Sequence, residues 1–178
     1  MVCTGNLCRS PMAEGVLRHR VRQLGCDIEV SSVGTWAYAG TQATDEAVQV
    51  LRARGIDLSA HRSRPVDPEE LADADVILAM TSVHRRELLE IAPDIDRKLI
   101  LMKELVELAL DGDLPPSSET RLERLLGAER PEWRRALDLD DPIGKPIGAY
   151  ENTVAHIEMG LEVLVAALCG DQVAKTES

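Results

Sequence analysis

Val2-Cys3-Thr4-Gly5-Asn6-Leu7-Cys8-Arg9-Ser10-Pro11-Met12-Ala13-Glu14 is the stretch on which the reading of the chain turns. An apolar stub at residues 1–3 leads into a short loop, and the loop leads into a helix start. Ser10 is a favoured N-cap and Pro11 suits the first helical position. Val16, Leu17, Val21 and Leu24 supply an apolar face for this helix, and Gly25 ends it. The loop holds a cysteine, five residues, an arginine and a hydroxyl residue. A loop of that length can curl until its backbone N–H groups point at one anion, and the following helix adds its positive end. Gly5 is expected to supply a backbone conformation closed to other residues. Arg9 offers a planar, permanently charged fork for two phosphate oxygens. The helix terminus and the arginine favour thiolate at Cys3, and the Ser10 hydroxyl can donate to that sulfur.

Outward from the loop, short apolar stretches alternate with helical ones, the order of an α/β fold with a parallel sheet. Strands are expected at residues 1–3, 28–32, 76–79 and 99–101, each bounded as buried parallel strands are. The expected architecture is one domain over residues 1–178: a four-stranded parallel sheet flanked by helices, with the anion loop between the first strand and the first helix. Helices are also expected over 46–54, closed by Gly55, and over 82–91, stopped near Pro93. Tyr150, Val154, Ile157, Leu161, Leu164 and Leu168 recur at helical spacing and define one face of a last helix. Residues 111–131 read as a surface insertion with a short helix at 119–126. Only Met1 and Val2 precede Cys3, whereas strands usually run to about 5–6 residues, so the natural chain is expected to begin a few residues upstream.

The net charge of −11 makes a poor general nucleic-acid binder. No uninterrupted apolar run reaches the roughly 20 residues that cross a membrane, and the N-terminus is not a signal peptide. A soluble, cytoplasmic protein is expected. With aromatics at 2% and no Phe, the core must be aliphatic. Cys26 and Cys169 are expected to be small buried apolar residues, since four cysteines are too few for a disulfide scaffold.

The opening stretch resembles the signature of the low-molecular-weight protein tyrosine phosphatases. Further segments agree in order: Ser32-Val33-Gly34-Thr35, Gly55-Ile56 with His61 and Arg64, Asp75-Val76-Ile77-Leu78-Ala79-Met80, and Asp141-Pro142. The likeness covers the chain apart from residues 111–131. It implies that Cys3 attacks phosphorus and becomes a phosphocysteine, and that Arg9 and the loop stabilise the equatorial oxygens. Asp141 is implied to protonate the leaving oxygen and then activate water. Thr4, Gly5, Asn6, Leu7, Cys8 and Ser10 are implied to line the phosphate site, and Asn6 to brace the loop through Ser32. Read alone, Asp138, Asp140 and Asp141 form a solvated acidic turn; the resemblance selects Asp141. It implies no cofactor and no metal. The implied partner is a phosphotyrosine-bearing protein, a bacterial tyrosine kinase or its targets among the candidates; nucleic acid and membrane are not expected partners.

A flat phosphotyrosine needs apolar or aromatic walls. Tyr38 falls where the family carries an aromatic wall, with Leu7 on the rim and Trp36 close by. Many members have an aromatic after the Asp-Pro pair; here Ile143-Gly144 follows. The competing relatives are bacterial phosphoarginine phosphatases, which resemble the Ala79-Met80-Thr81 and His84 stretch but carry threonine where Leu7 stands. Leu7 cannot hydrogen-bond substrate, which favours tyrosine. An arsenate reductase needs further cysteines, and residues 76–92 contain none. The four histidines show no metal-site spacing with Cys3 and Cys8. A non-catalytic phosphoprotein-binding module would need neither Cys3 nor Asp141. Cys8, five residues from Cys3, is a candidate for a reversible protective disulfide.

Overall fold

In the computed structural model, which describes residues 1–105, 118–127 and 137–176, Val2 and Cys3 form an inner strand on which the other layers are arranged. The sheet is parallel, in the order β2 (Val33–Gly34), β1 (Val2–Cys3), β3 (Ile77–Ala79) and β4 (Leu99–Leu101). The pairs are Val2 with Val33, Cys3 with Gly34, Val2 with Ala79, and Ile77 with Leu99. Side chains alternate across a strand, so each strand feeds two cores. Cys3, Leu78, Met80 and Ile100 pack with α1 (Arg9–Leu24), α2 (Asp45–Arg52), α5 (Ser118–Gly127) and α6 (Ile147–Thr176). Val2, Ile77, Ala79, Leu99 and Leu101 pack on the other face with α3 (Pro68–Asp73), α4 (Ser82–Ile91) and the 3-10 helix Pro93–Lys98.

The first strand–loop–helix unit differs from expectation in two places. The second strand is at Val33–Gly34, not at 28–32. The register with β1 is set by the Met1 carbonyl, which accepts the Val33 N–H at 3.0 Å, and by the Met1 ammonium, which donates to the Ser31 carbonyl at 3.0 Å. Helix α1 begins at Arg9, with Cys8 in the cap position and no side-chain cap, so Ser10 is inside the helix. Its hydroxyl is engaged with the loop instead of the helix amides, which leaves those amides free for an anion. Gly25 closes α1 at φ 67°, as expected.

Helix α2 starts on Thr44, whose hydroxyl accepts from the Ala47 N–H, and its last residue is Arg52 rather than residue 54. Helix α4 spans Ser82–Ile91 as read, capped by Thr81. Asp67 and Pro68 start α3, a helix not expected from the sequence. On α6 the face Tyr150, Val154, Ile157, Leu161 and Leu164 is buried. Residues 147–170 of this helix are long and apolar enough in composition to cross a membrane, but that face lies in the core.

Cys26 and Cys169 are not separate apolar residues: they form a disulfide, with Cα atoms 6.2 Å apart. Helices α1 and α6 pack along one another, and their apposition brings together two thiols 143 residues apart in sequence. Within the expected insertion, α5 packs on α6 and buries Leu125 in the main core. Residues 111–117 and 128–131 of that segment lie outside the described residues.

Candidate active site

The loop between β1 and α1 is shaped from outside. The carbonyls of Cys3, Thr4 and Leu7 accept the N–H groups of Thr35, Trp36 and Thr44 at 3.0, 2.9 and 2.9 Å. The Asn6 carbonyl accepts from His61 Nε2 at 2.8 Å, and the Cys8 carbonyl from Met12 N at 2.9 Å. A trans peptide carries its C=O and the next N–H on opposite sides. Carbonyls drawn outward therefore turn the N–H groups of Thr4, Gly5, Leu7, Cys8 and Arg9 toward the hollow of the loop, which makes a nest for an anion.

The backbone residue that needs special conformation is Asn6, at φ 54°, and not Gly5. Asparagine tolerates the left-handed region when its side chain is held locally. Here Nδ2 donates to Ser10 Oγ at 2.9 Å and Ser32 Oγ at 2.8 Å, while Oδ1 accepts the Arg64 N–H at 2.9 Å. Ser32 in turn donates to Glu14, which also pairs with Arg18. The glycine this site requires is Gly34: a Cβ there would overlap the Thr4 carbonyl and sit 2.9 Å from Asn6 N.

Cys3 is buried at the floor, its sulfur 3.0 Å from Ser10 Oγ. Asn6 donates to Ser10 Oγ, whose own proton has two acceptors in reach, the Cys3 sulfur and the Val33 carbonyl at 3.4 Å. Cys8 is buried as well, and burial, with the nearby Cys3 and Asp141, pushes its thiol up to about 12. It remains protonated near neutrality, while its S–H lies 3.9 Å from Asp141 Oδ1. Arg9 is 4% exposed; Nη1 donates to the Leu139 carbonyl at 3.2 Å and Nη2 to Asp141 Oδ2 at 2.7 Å. Asp141 folds back on itself through the Ile143 N–H at 3.1 Å, an Asx turn followed by Gly144 at φ 70°. Asp140 is exposed.

Thr4 Oγ1 lies 2.8 Å from His84 Nε2, and His84 Nδ1 lies 2.9 Å from Thr81 Oγ1. Burial, with the Arg9 charge, lowers His84 to about 4, so the imidazole is neutral. Leu7 is half-buried on the rim. Tyr38 is 86% exposed, and Trp36, also exposed, donates to Glu87 on α4 at 3.1 Å.

The structure thus gathers Cys3, Asn6, Cys8, Arg9, Ser10, Ser32 and Asp141 into one connected cluster, and the exposed Tyr38 is not part of it. The contacts of His61, Arg64, Glu14 and Asp138 are not evident from spacing. His61 and Arg64 stand in a segment that resembles a family block, the one signal that could have singled them out.

A family model described as "Low molecular weight phosphotyrosine protein phosphatase" matches residues 1–116. The protein-arginine-phosphatase of Geobacillus stearothermophilus is 41% identical over 171 residues, 96% of this chain and 95% of that protein. The solved low molecular weight protein tyrosine phosphatase from T. tengcongensis aligns with a TM-score of 0.73 at 35% identity, covering 94% of this chain and 96% of that one. The YwlE arginine phosphatase, in a Cys-to-Ser variant with a phosphorylated active-site serine, aligns with a TM-score of 0.74 at 30% identity, covering 94% and 92%.

Proposed function

The chain belongs to the low molecular weight phosphotyrosine protein phosphatase family, and from that premise we propose that it hydrolyses protein phosphotyrosine through a phosphocysteine at Cys3. The observation that carries this reading is the Arg9 fork. Its Nε is buried and has no hydrogen-bond partner among the described residues, and its Nη2 is held only by Asp141. A buried donor without a partner is costly, and a phosphate seated in the nest would take it.

Cys3 sulfur attacks phosphorus in line with the leaving oxygen. The P–O bond breaks as the S–P bond forms. Asp141 gives its proton to the departing phenolic oxygen. Arg9 and the loop amides stabilise the charge on the three equatorial oxygens. Asp141, now a carboxylate, takes a proton from the water that attacks the phosphocysteine, and the Ser10 hydroxyl stabilises the departing thiolate. The phosphorylated serine in the YwlE variant supports covalent transfer to this loop position.

A second reading, hydrolysis of phosphoarginine, is favoured by the 41% identical relative of that name. Leu7 argues against it, because an aliphatic rim has no atom to hydrogen-bond a guanidinium. Steady-state kinetics on phosphotyrosine and phosphoarginine peptides separate the two, and higher kcat/KM on phosphotyrosine is expected. Leu7→Thr is expected to shift the ratio toward phosphoarginine by about 3–10-fold, the worth of one hydrogen bond. An unchanged ratio would assign specificity elsewhere, with Tyr38 and Ile143 the next positions to vary.

A further inference from the structure

We propose that Asp138 is a positioning residue that holds the general-acid loop in register with the phosphate loop by gripping the start of α4. The inference rests on the reading of Asp141 as general acid. The segment before Asp141 is anchored at successive residues. Leu137 and Leu139 are buried, the Leu139 N–H donates to the Met80 carbonyl at 2.8 Å, and the Leu139 carbonyl accepts from Arg9. Between them, Asp138 points to α4: Oδ1 accepts the Ser82 N–H at 2.6 Å and Oδ2 the Ser82 hydroxyl at 3.2 Å. A carboxylate across 56 residues of sequence thus takes a first-turn amide that lacks a helical partner, at the positive end of the helix.

The same few residues hold the other loop. His84, two residues further along α4, meets Thr4 next to the nucleophile. Residues 80–84 therefore bracket both loops on one element rooted in β3, and so set the position of the Asp141 carboxyl relative to the Cys3 sulfur.

The bracket matters because the Ile143 N–H holds the Asp141 carboxylate only within its own loop, whereas its charged tie to the phosphate loop is the ion pair with Arg9. A bound phosphate takes that fork. During turnover the acid must then be held by its own loop, and a general acid acts only within hydrogen-bond reach of the leaving oxygen. Asp138 supplies a restraint that substrate does not displace.

A misplaced general acid has a signature that general destabilisation lacks. Phenyl phosphate needs its leaving oxygen protonated, whereas dinitrophenyl phosphate leaves as a stable anion. Asp138→Ala is expected to lower kcat about 10–100-fold on phenyl phosphate and less than about 3-fold on dinitrophenyl phosphate. Asp138→Asn, whose amide can still accept from the Ser82 N–H, is expected to recover most of the loss. Equal losses on both substrates, no loss on either, or an Asn variant as impaired as the Ala variant would each overturn the proposal. If Asp138→Ala does not fold, Ser82→Pro carries the same test, since proline suits the first helical position and removes both donors that Asp138 accepts: a loss confined to phenyl phosphate supports the bracket, and none overturns it. Asp141→Asn assayed in parallel distinguishes the two levels. If it shows no leaving-group selectivity, the assignment of the acid fails, and the bracket built on it fails with it.

Discussion

Cys3→Ser is expected to abolish turnover, lowering kcat by roughly 10⁴–10⁶-fold, as loss of the nucleophile does in other covalent hydrolases. Binding should survive. The Arg9 fork is untouched, and the inward amides are set by carbonyl ties to Thr35, Trp36, Thr44, His61 and Met12. The substitution removes none of these. The contacts of Asn6 with Ser10 and Ser32 that brace the loop also remain, because neither runs through the sulfur. Calorimetry with inorganic phosphate and with a phosphotyrosine peptide, beside steady-state kinetics, checks both halves. Near-wild-type turnover would remove Cys3 from the mechanism, and lost phosphate binding would mean that the nest depends on the thiol.

Asp141→Asn is expected to lower kcat by roughly 10²–10⁴-fold on a phosphotyrosine peptide, the usual size of a lost general acid. Asparagine keeps the volume and can still accept from Arg9, so folding and phosphate binding should hold. Asp140→Asn should change little, because Asp140 is exposed and Asp141 alone of the two meets Arg9. Reversed behaviour in the two variants would move the acid to Asp140.

The loop and its helix were legible because the chemistry needs rare residues close together: a cysteine, an arginine six positions on, and a helix start. The α6 face was legible because a buried helix repeats its apolar positions over many turns. What misled was local propensity where a tertiary contact wins. Ser10 reads as an N-cap by residue type, yet its hydroxyl serves Cys3 and Asn6. Gly5 reads as the left-handed residue, yet Asn6 takes that role because three polar partners hold its side chain. Residues 28–32 look like a strand, but pairing follows the partner available on β1, two residues long. The Cys26–Cys169 bond depends on how α1 lies against α6, and no spacing encodes that. Asp138 looked like one more solvated carboxylate because the helix it caps lies 56 residues earlier in the chain.

The central claim is covalent transfer of phosphate to Cys3. Asp141→Asn, which slows both formation and hydrolysis of the intermediate, should be mixed with dinitrophenyl phosphate, whose leaving group needs no proton. Under those conditions formation outruns hydrolysis and the intermediate accumulates. Acid quench within the first turnover, proteolysis and mass spectrometry should then find one phosphoryl group on the peptide carrying Cys3, and it should disappear on chase. A phosphoryl group on any other residue, or a full first turnover with none on the protein, would contradict the account.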